Sequence, residues 1–464
     1  MTRLSGLDAN FLYWETPRTP MHTLKIAVVD TLGLSRGEMR ARFVCALQER
    51  LAVLPTFRAR IHSVPLGLHH PVWAEDPDFD VQRHVYEDRL PQPGTAVEMD
   101  EAIGRIAAGP LPRDRPLWAV WILHGLQDGA AAIVFKLHHA LADGAACLEL
   151  MNTALSGAAA SSPLEEGRER PRPTSLMRAA LRERPSQIAA LPRLARDTLQ
   201  SSLTMAEHRR SAVSAGFKAP FTGPTTVFNR ALCAGRQFAT ARVSLDDMRR
   251  IKSRLGVTLN DVVMGVAGGA VRTYLAQAEA LPDKALVAAV PVARPRREAT
   301  QLGGNNLSNL MLSLFTDQED HEGRIGAIHR ANRQAKESHA LLGSDRMRDW
   351  AEYAPPRLMA ATMRLYSRLR LADRHRPPVN LVVSNVRGPA ARLWAGAHEV
   401  RSLYSVGPIL DGIGLNITVW SYAGEMAFSV LGHDQMPLGL RRLTDAIPRV
   451  VEELSEPSLL ARAC

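Results

Sequence analysis

The chain reads as an α+β protein built in two halves, and three observations point there. Its 464 residues exceed what one ordinary hydrophobic core serves, so length suggests two units of about two hundred residues each. Strand-like and helix-like stretches are mixed within each half, without the regular strand–helix–strand alternation of a doubly wound sheet. Between the halves, "SGAAASSPLEEGRERPRPTS" (156–175) has the small, proline-rich, charged composition of a linker. The expected division is residues 1–155, a linker over 156–227 that carries a basic helical segment, and residues 228–464.

In the first half, "HTLKIAVVD" (22–30) is β-branched and predicts a strand. A helix follows, with Met39, Phe43, Leu47 and Leu51 at helical spacing. Residues 69–85 read as irregular strand and loop, and "MDEAIGRIAAGPLP" (99–112) as a short helix stopped by Gly109-Pro110. "LWAVWILHGL" and "AAIVFKLHH" are two apolar runs joined at Gln127-Asp128-Gly129, which signals a hairpin. "AACLELMNTAL" after them predicts a helix with Asp143 near its N-terminus, where a carboxylate suits the free amides and the dipole.

Residues 176–210 are basic and helical in pattern, with breaks expected at Pro185 and Pro192. The second half opens near Phe228, where "RVSLDDMRRIKSRLGVTLNDVVMGVAGGAVRTYLAQ" gives strand, helix, turn and helix. "ALVAAVPVARP", "LSNLMLSLF" (307–315), "NLVVSNVRGP" (380–389), "GIGLNITVWSYAG" (412–424) and "EMAFSVLGH" (425–433) add strands.

Composition excludes several classes. Hydrophobic residues at 46% and charged residues at 22% give the balance of a soluble globular protein. Cys45, Cys147, Cys233 and Cys464 lie far apart without a CxxC pair, so neither a zinc knuckle nor a redox motif is indicated and a reducing cytosol is the expected setting. The N-terminus carries Asp8, Asn10 and Glu15 where a signal peptide needs an apolar run, and no uncharged apolar stretch reaches spanning length. A net charge of +10 favours anionic partners. There is no DNA-binding signature and no phosphate-binding glycine loop.

The stretch "FKLHHALADG" (135–144) is the chemical focus. Strand side chains alternate, so only one of His138 and His139 can face a given cleft while the other packs or anchors on the opposite side. Adjacent histidines on a strand point apart, and no third His, Cys or carboxylate at ligand spacing stands nearby, so no metal is expected. No GxSxG elbow is present, and Cys147 falls on the apolar face of a helix, so a covalent nucleophile lacks support. A general base remains, taking a proton from an alcohol or amine as it attacks a carbonyl. Gly144 would let the backbone turn tightly beside it.

"HHALADG" fits HHxxxDG, the signature of CoA-dependent acyltransferases related to chloramphenicol acetyltransferase and to peptide-synthetase condensation domains. "LSGLDANFLYWETPRTPMH", "PLGLHHPVWAEDPDFDVQRHV", "RPLW" (115–118), "LNDVV" (259–263), "GGNNLSN" (303–309) and "NLVVSNVRGP" occur in the same order as in bacterial wax ester synthase/diacylglycerol acyltransferases. The chain resembles that family from residue 3 to about residue 450.

The resemblance implies two acyltransferase-like domains around a central tunnel, where acyl-CoA meets diacylglycerol or a long-chain alcohol. It implies His139 as the general base, His138, Asp143 and Gly144 as support of the motif, and no cofactor beyond acyl-CoA as substrate. Asp143 is expected to hold its loop through an arginine. Asn260 and Asp261 match the family's Asn-Asp pair; both are candidate contacts to substrate or oxyanion, with Asn260 as the donor, and a helix N-cap is the structural alternative. "RPLW" and "SNVRGP" are expected to build walls and a crossing strand. The sequence departs from the family's pattern at Arg387, where many relatives have proline, and at Ala119, where an acidic residue is usual. Both bear on the tunnel lining, and so on the acceptor.

The basic segments 176–197 and 357–376 mix arginine with Leu, Met and Tyr, which suits docking to anionic lipid; a solvated helix is the alternative. The expected location is the cytoplasm, with peripheral contact to the membrane or lipid inclusions. Two competing functions share part of this evidence. A condensation-type enzyme using a carrier-protein thioester has HHxxxDG but should lack the matching terminal segments, and a non-enzymatic basic lipid-binding protein explains the charge but not the motif.

Overall fold

The computed structural model describes residues 1–51, 54–141, 170–211, 220–293, 307–342, 346–395 and 398–456. Asp143, Gly144, the helix read over "AACLELMNTAL" with Cys147, the linker up to residue 169 and the start of "GGNNLSN" lie outside the described residues.

The strands in chain order are β1 Thr2–Arg3, β2 His22–Asp30, β3 Ala59–His62, β4 Val72–Glu75, β5 Val85–Arg89, β6 Trp118–His124, β7 Ala130–His138, β8 Arg236–Ser244, β9 Val287–Ala293, β10 Leu307–Ser313, β11 Leu381–Arg387, β12 Trp394–Ala395, β13 His398–Val406, β14 Leu415–Tyr422 and β15 Glu425–His433. The helices are α1 Gly6–Trp14, α2 Arg36–Leu51, α3 Ala96–Ala108, α4 Pro173–Ser211, α5 Leu245–Leu255, α6 Leu259–Gln277, α7 His321–Leu342, α8 Arg346–Ala351, α9 Pro356–Arg368 and α10 Arg441–Ser455.

Two six-stranded sheets carry the fold, in the orders β12-β13-β2-β7-β6-β5 and β10-β9-β11-β14-β15-β8. In the first, β6 and β7 form the expected antiparallel hairpin and β2 lies antiparallel to β7. Both faces of this sheet are buried, which explains its unbroken apolar runs. One face, with Ala27, Val29, Val120, Ile122, Ile133 and Phe135, packs on Met39, Val44, Leu47 and Leu51 of α2. The other, with Leu24, Ile26, Val28, Ala132 and Val134, packs on Met99, Ala102 and Ile103 of α3.

The halves are not separable by sequence position. Strand β13, from the second half of the chain, pairs with β2 in the first sheet, Leu403 opposite Ala27 and Val406 opposite Leu24. The strand that crosses is therefore β13, whereas "SNVR" lies in β11, inside the second sheet between β9 and β14. The core on α3 also takes in Leu232, Phe238, Ala427 and Leu431 of the second half. Asp100 on α3 accepts from Thr240 N and Oγ1, each at 3.3 Å, and from Arg441 Nη2 at 3.0 Å. Lys25 Nζ donates to Ser405 Oγ at 2.5 Å and lies 4.9 Å from the centre of the Trp420 ring.

One expectation fails on backbone grounds. The breaks at Pro185 and Pro192 do not occur, and α4 runs through both. Each proline removes one helical hydrogen bond, freeing the carbonyls of Leu181 and Ile188 four residues earlier. Both prolines lie on the exposed side of the helix. Solvent can satisfy the freed carbonyls there, so the cost of continuing is reduced.

Candidate active site

The site forms where β2 and β7 end side by side. His22 stands opposite His138 in the register, so both rings project from the same face. The ladder continues one residue further, with His139 N donating to Met21 O at 2.8 Å. His139 thus projects from the opposite face.

His138 is fully buried. Its Nδ1 accepts from Ala140 N at 3.0 Å, which fixes the proton of the neutral ring on Nε2. That Nε2 faces Glu15, 3.6 Å from Oε2, and His22 Nε2 lies 3.3 Å from Oε1 of the same carboxylate. Glu15 Oε2 also accepts from Arg113 Nη2. Burial, and then the Arg113 charge, holds His138 well below the usual histidine range. Burial does the same to His22, helped by Lys136, His138 and Arg236.

His139 is partly exposed, and its ring stacks on Phe11 with centroids 4.2 Å apart and planes inclined by 16°. Phe11 comes from α1. This helix starts where Ser5 Oγ accepts from Asp8 N at 3.1 Å and Glu352 Oε1 accepts from Gly6 N at 2.7 Å. Its buried residues Ala9 and Tyr13 pack with Ala140, while Met359 and Ala360 of α9 cover the same cluster. Gly6 is required there, since a Cβ would come within 2.2 Å of the Ala351 backbone.

Asp261 and Asn260 sit at the start of α6, but the cap is Thr258. Its Oγ1 accepts from Asp261 N at 3.3 Å, and Asp261 Oδ2 accepts from Thr258 N at 2.9 Å. Asp261 also accepts from Asn332 Nδ2 at 2.5 Å and pairs with His329 Nδ1 at 2.7 Å. Burial pushes this carboxyl up, but the bonds from Asn332, His329 and Thr258 outweigh it and hold it below the usual carboxylate range. Its oxygens are thus committed to the helix start and to α7. Asn260 is half-buried, and its Oδ1 accepts from Asn385 Nδ2 at 3.3 Å, joining "LNDVV" to "SNVRGP". In "RPLW", Trp118 Nε1 donates to Phe57 O at 2.6 Å and its ring stacks on His84 at 4.2 Å, so this segment is wall.

One sequence inference needs correction. A third ligand-type residue does stand near the histidine pair: one ligand atom each of Glu15, His22 and His138 lie within 4.8 Å of one another. Strand pairing brings them together from distant positions, which sequence spacing cannot reveal. The surroundings are cationic, with Arg113 on Glu15 and Lys136 and Arg236 acting on His22, a poor setting for a divalent ion. Phe11, Glu15, His22 and Arg113 went unassigned as site residues. Phe11, Glu15 and His22 lie in or at the end of the "LSGLDANFLYWETPRTPMH" stretch, and that resemblance was the available signal.

Comparison with known proteins shows the family and the fold. The wax ester synthase/diacylglycerol acyltransferase catalytic domain matches residues 4–263, and the WS/DGAT C-terminal domain matches residues 303–455. A Mycobacterium tuberculosis protein named "Putative diacyglycerol O-acyltransferase" is 38% identical over 441 residues, 93% of this chain and 91% of the relative. A second of the same name is 34% identical over 466 residues, covering 99% and 91%. The solved wax ester synthase/diacylglycerol acyltransferase of Marinobacter aquaeolei VT8 aligns over 98% of both chains with a TM-score of 0.68 and 25% identity. The trichothecene 15-O-acetyltransferase TRI3 of Fusarium sporotrichioides shares the fold, with a TM-score of 0.58 at 15% identity over 98% of this chain and 94% of its own. This chain belongs to the wax ester synthase/diacylglycerol acyltransferase family.

Proposed function

We propose that this acyltransferase moves a fatty acyl group from acyl-CoA to the hydroxyl of diacylglycerol, of a long-chain alcohol, or of both, with His139 as general base. The observation that carries the reading is the unequal setting of the two histidines. One imidazole is fully buried, with Nδ1 accepting from Ala140 N and Nε2 facing the Glu15 carboxylate; the other is partly exposed and stacked on an aromatic face.

His139 takes the hydroxyl proton as the acceptor oxygen attacks the thioester carbonyl, forming the new C–O bond. The C–S bond then breaks, and the same imidazole returns the proton to the departing CoA thiolate. One base serves both steps. The tetrahedral oxyanion needs a donor within about 3 Å. Asn260 is the side-chain candidate, because accepting from Asn385 through Oδ1 leaves its amide hydrogens to donate.

The two halves act as one enzyme, with the substrates meeting in a tunnel between residues 1–155 and 228–464. HHxxxDG occurs once in the sequence, so the second half has no base of this kind. Asp143 and Gly144 support the motif loop in this reading. CoA release from palmitoyl-CoA, with and without diacylglycerol or hexadecanol, tests the proposal. Release that depends on either acceptor and yields the matching ester supports it. Transfer only from a carrier-protein thioester would refute it.

A further inference from the structure

Among the described residues, fourteen large apolar side chains are exposed, and eight of them are carried by neighbouring elements: Leu66, Leu181, Ile188, Leu199, Trp350, Leu358, Leu365 and Leu369. Scattered exposed apolar residues need no explanation, but a concentration of them does. The elements that carry them are joined edge to edge. Arg184 Nε on α4 donates to Leu68 O beside the turn Pro65–Gly67, and Gly67 abuts Arg357 of α9. Trp350 Nε1 on α8 donates to Thr198 Oγ1 on α4.

The pattern along the two longer helices is regular. On α9 and its cap, Leu358, Leu365 and Leu369 repeat at seven and four residues and share one exposed stripe. Arg357, Arg364 and Arg368, all exposed, repeat at the same spacing and form the neighbouring stripe. No Asp or Glu occurs in this helix. On α4, Leu181, Ile188 and Leu199 are spaced by seven and eleven residues, two and three helical turns. Their exposures are 58%, 59% and 62%. Exposed Arg178, Arg182, Arg193 and Arg196 flank them, and Glu183 is paired with Arg3 at 2.6 Å.

We infer that the face formed by α4, α8, α9 and the turn Pro65–Gly67 docks the enzyme on an anionic lipid surface, with the leucine stripes entering the headgroup boundary and the arginines on lipid phosphates. An apolar stripe bordered by arginine, as on α9, is complementary to such a surface, which offers both hydrocarbon and negative charge. The exposed Asp349 of α8 is an acidic group at the margin of this face. A water-soluble protein partner would have to cover the leucines and answer a row of cations at once. No helix of the described residues is long and apolar enough to cross a membrane, so contact through these helices is from the side.

The position adds a consequence that rests on the proposed function. The inner side of α9 places Met359 and Ala360 on the cluster containing Ala140, the residue after His139. The docking face is thus about one helix diameter, roughly 10 Å, from the histidine turn. A lipid acceptor would reach the base from the membrane side without crossing water.

Flotation of the full-length chain with vesicles tests the inference independently of catalysis. Vesicles of phosphatidylcholine alone are compared with vesicles containing phosphatidylglycerol. The wild type is expected to float with the anionic vesicles. The triple variant Arg357→Gln/Arg364→Gln/Arg368→Gln should lower partitioning roughly a hundred-fold, since each surface arginine contributes about five-fold. The variant Ile188→Ser/Leu358→Ser/Leu365→Ser should also lose binding while melting as the wild type does, because these side chains already face solvent. Vesicle binding in a chain that transfers no acyl group would leave the docking face standing and remove the proposed function. A wild type that stays with the aqueous fraction, or variants that float as well as it does, would overturn the inference. So would variants that abolish self-association in a chain that never binds vesicles, for that result would make the face a protein interface.

Discussion

At the scale of the residue, two adjacent histidines divide one task because a strand sends neighbours to opposite sides. His139→Ala should cut acyl transfer by about 10²- to 10⁴-fold with an unchanged melt, the typical loss for a missing general base. His138→Ala should lower the melting temperature as well, since it empties a buried site and leaves Ala140 N without its acceptor. Equal losses of rate with two native-like melts would contradict that division. Glu15→Gln separates shape from charge. The amide keeps the volume but removes the charge that faces Arg113 and both buried imidazoles. We expect a stability loss of about 1 to 3 kcal/mol. A urea titration unchanged from wild type would show that Glu15 does not hold the cluster. The motif itself was legible, since four fixed positions in seven stand in the sequence. The Glu15–His22–His138 cluster was not, because it exists only once β2 lies beside β7.

At the scale of the element, strands with unbroken apolar runs were legible, and β2 and β15 have the bounds their sequences suggest. Strand β13 was not. Its register shifts between Val400 and Ser402, so the alternation that marks a strand is interrupted in "HEVRSLYSV". Helix α1 was missed for a related reason. It is short, and α8, α9 and the histidine turn cover it from several sides, so "GLDANFLYW" has no polar face to set a period. That enclosure gives a test. Gly6→Ala must push α1 away from the Ala351 backbone and should cost about 1 to 3 kcal/mol, with a lower transfer rate as Phe11 shifts from His139. Gly37→Ala in α2 meets nothing within 4 Å and should instead leave stability unchanged or raise it by about 0.5 to 1 kcal/mol. Equal melts for the two variants would contradict the close approach assigned to Gly6.

At the scale of the whole molecule, the two-part architecture was legible from length and composition, but the exchange of β13 was not, because no local pattern records which sheet a strand joins. A fragment of residues 1–155 lacks β12 and β13 and exposes the edge of β2, so it should aggregate rather than fold. A soluble, cooperatively melting fragment would contradict that. Stability should also depend on pH in a defined direction. Burial is the leading cause that holds His22 and His138 well below 6.5, His70 and His84 at about 4 and His69 at about 3. Above the unfolded value near 6.5 both states are neutral at these rings. Below it the unfolded chain takes up protons first, and each such histidine lowers stability by up to about 1.4 kcal/mol per pH unit. Asp100, pushed up to about 7 by burial against the pull of Arg441, acts in the opposite sense between its unfolded and folded values, but it is one group against five. Urea midpoints should therefore fall steadily from pH 6.5 to pH 4, and a rise over that range would contradict the buried neutral histidines. A partly exposed histidine beside a buried one drives transfer to a lipid hydroxyl in this account. The most direct test of that role is ester formation from palmitoyl-CoA with diacylglycerol or hexadecanol, measured for wild type and His139→Ala at matched folded concentration. The account predicts acceptor-dependent ester from the wild type and a loss of at least about a hundred-fold in the variant. Undiminished ester from His139→Ala would contradict it.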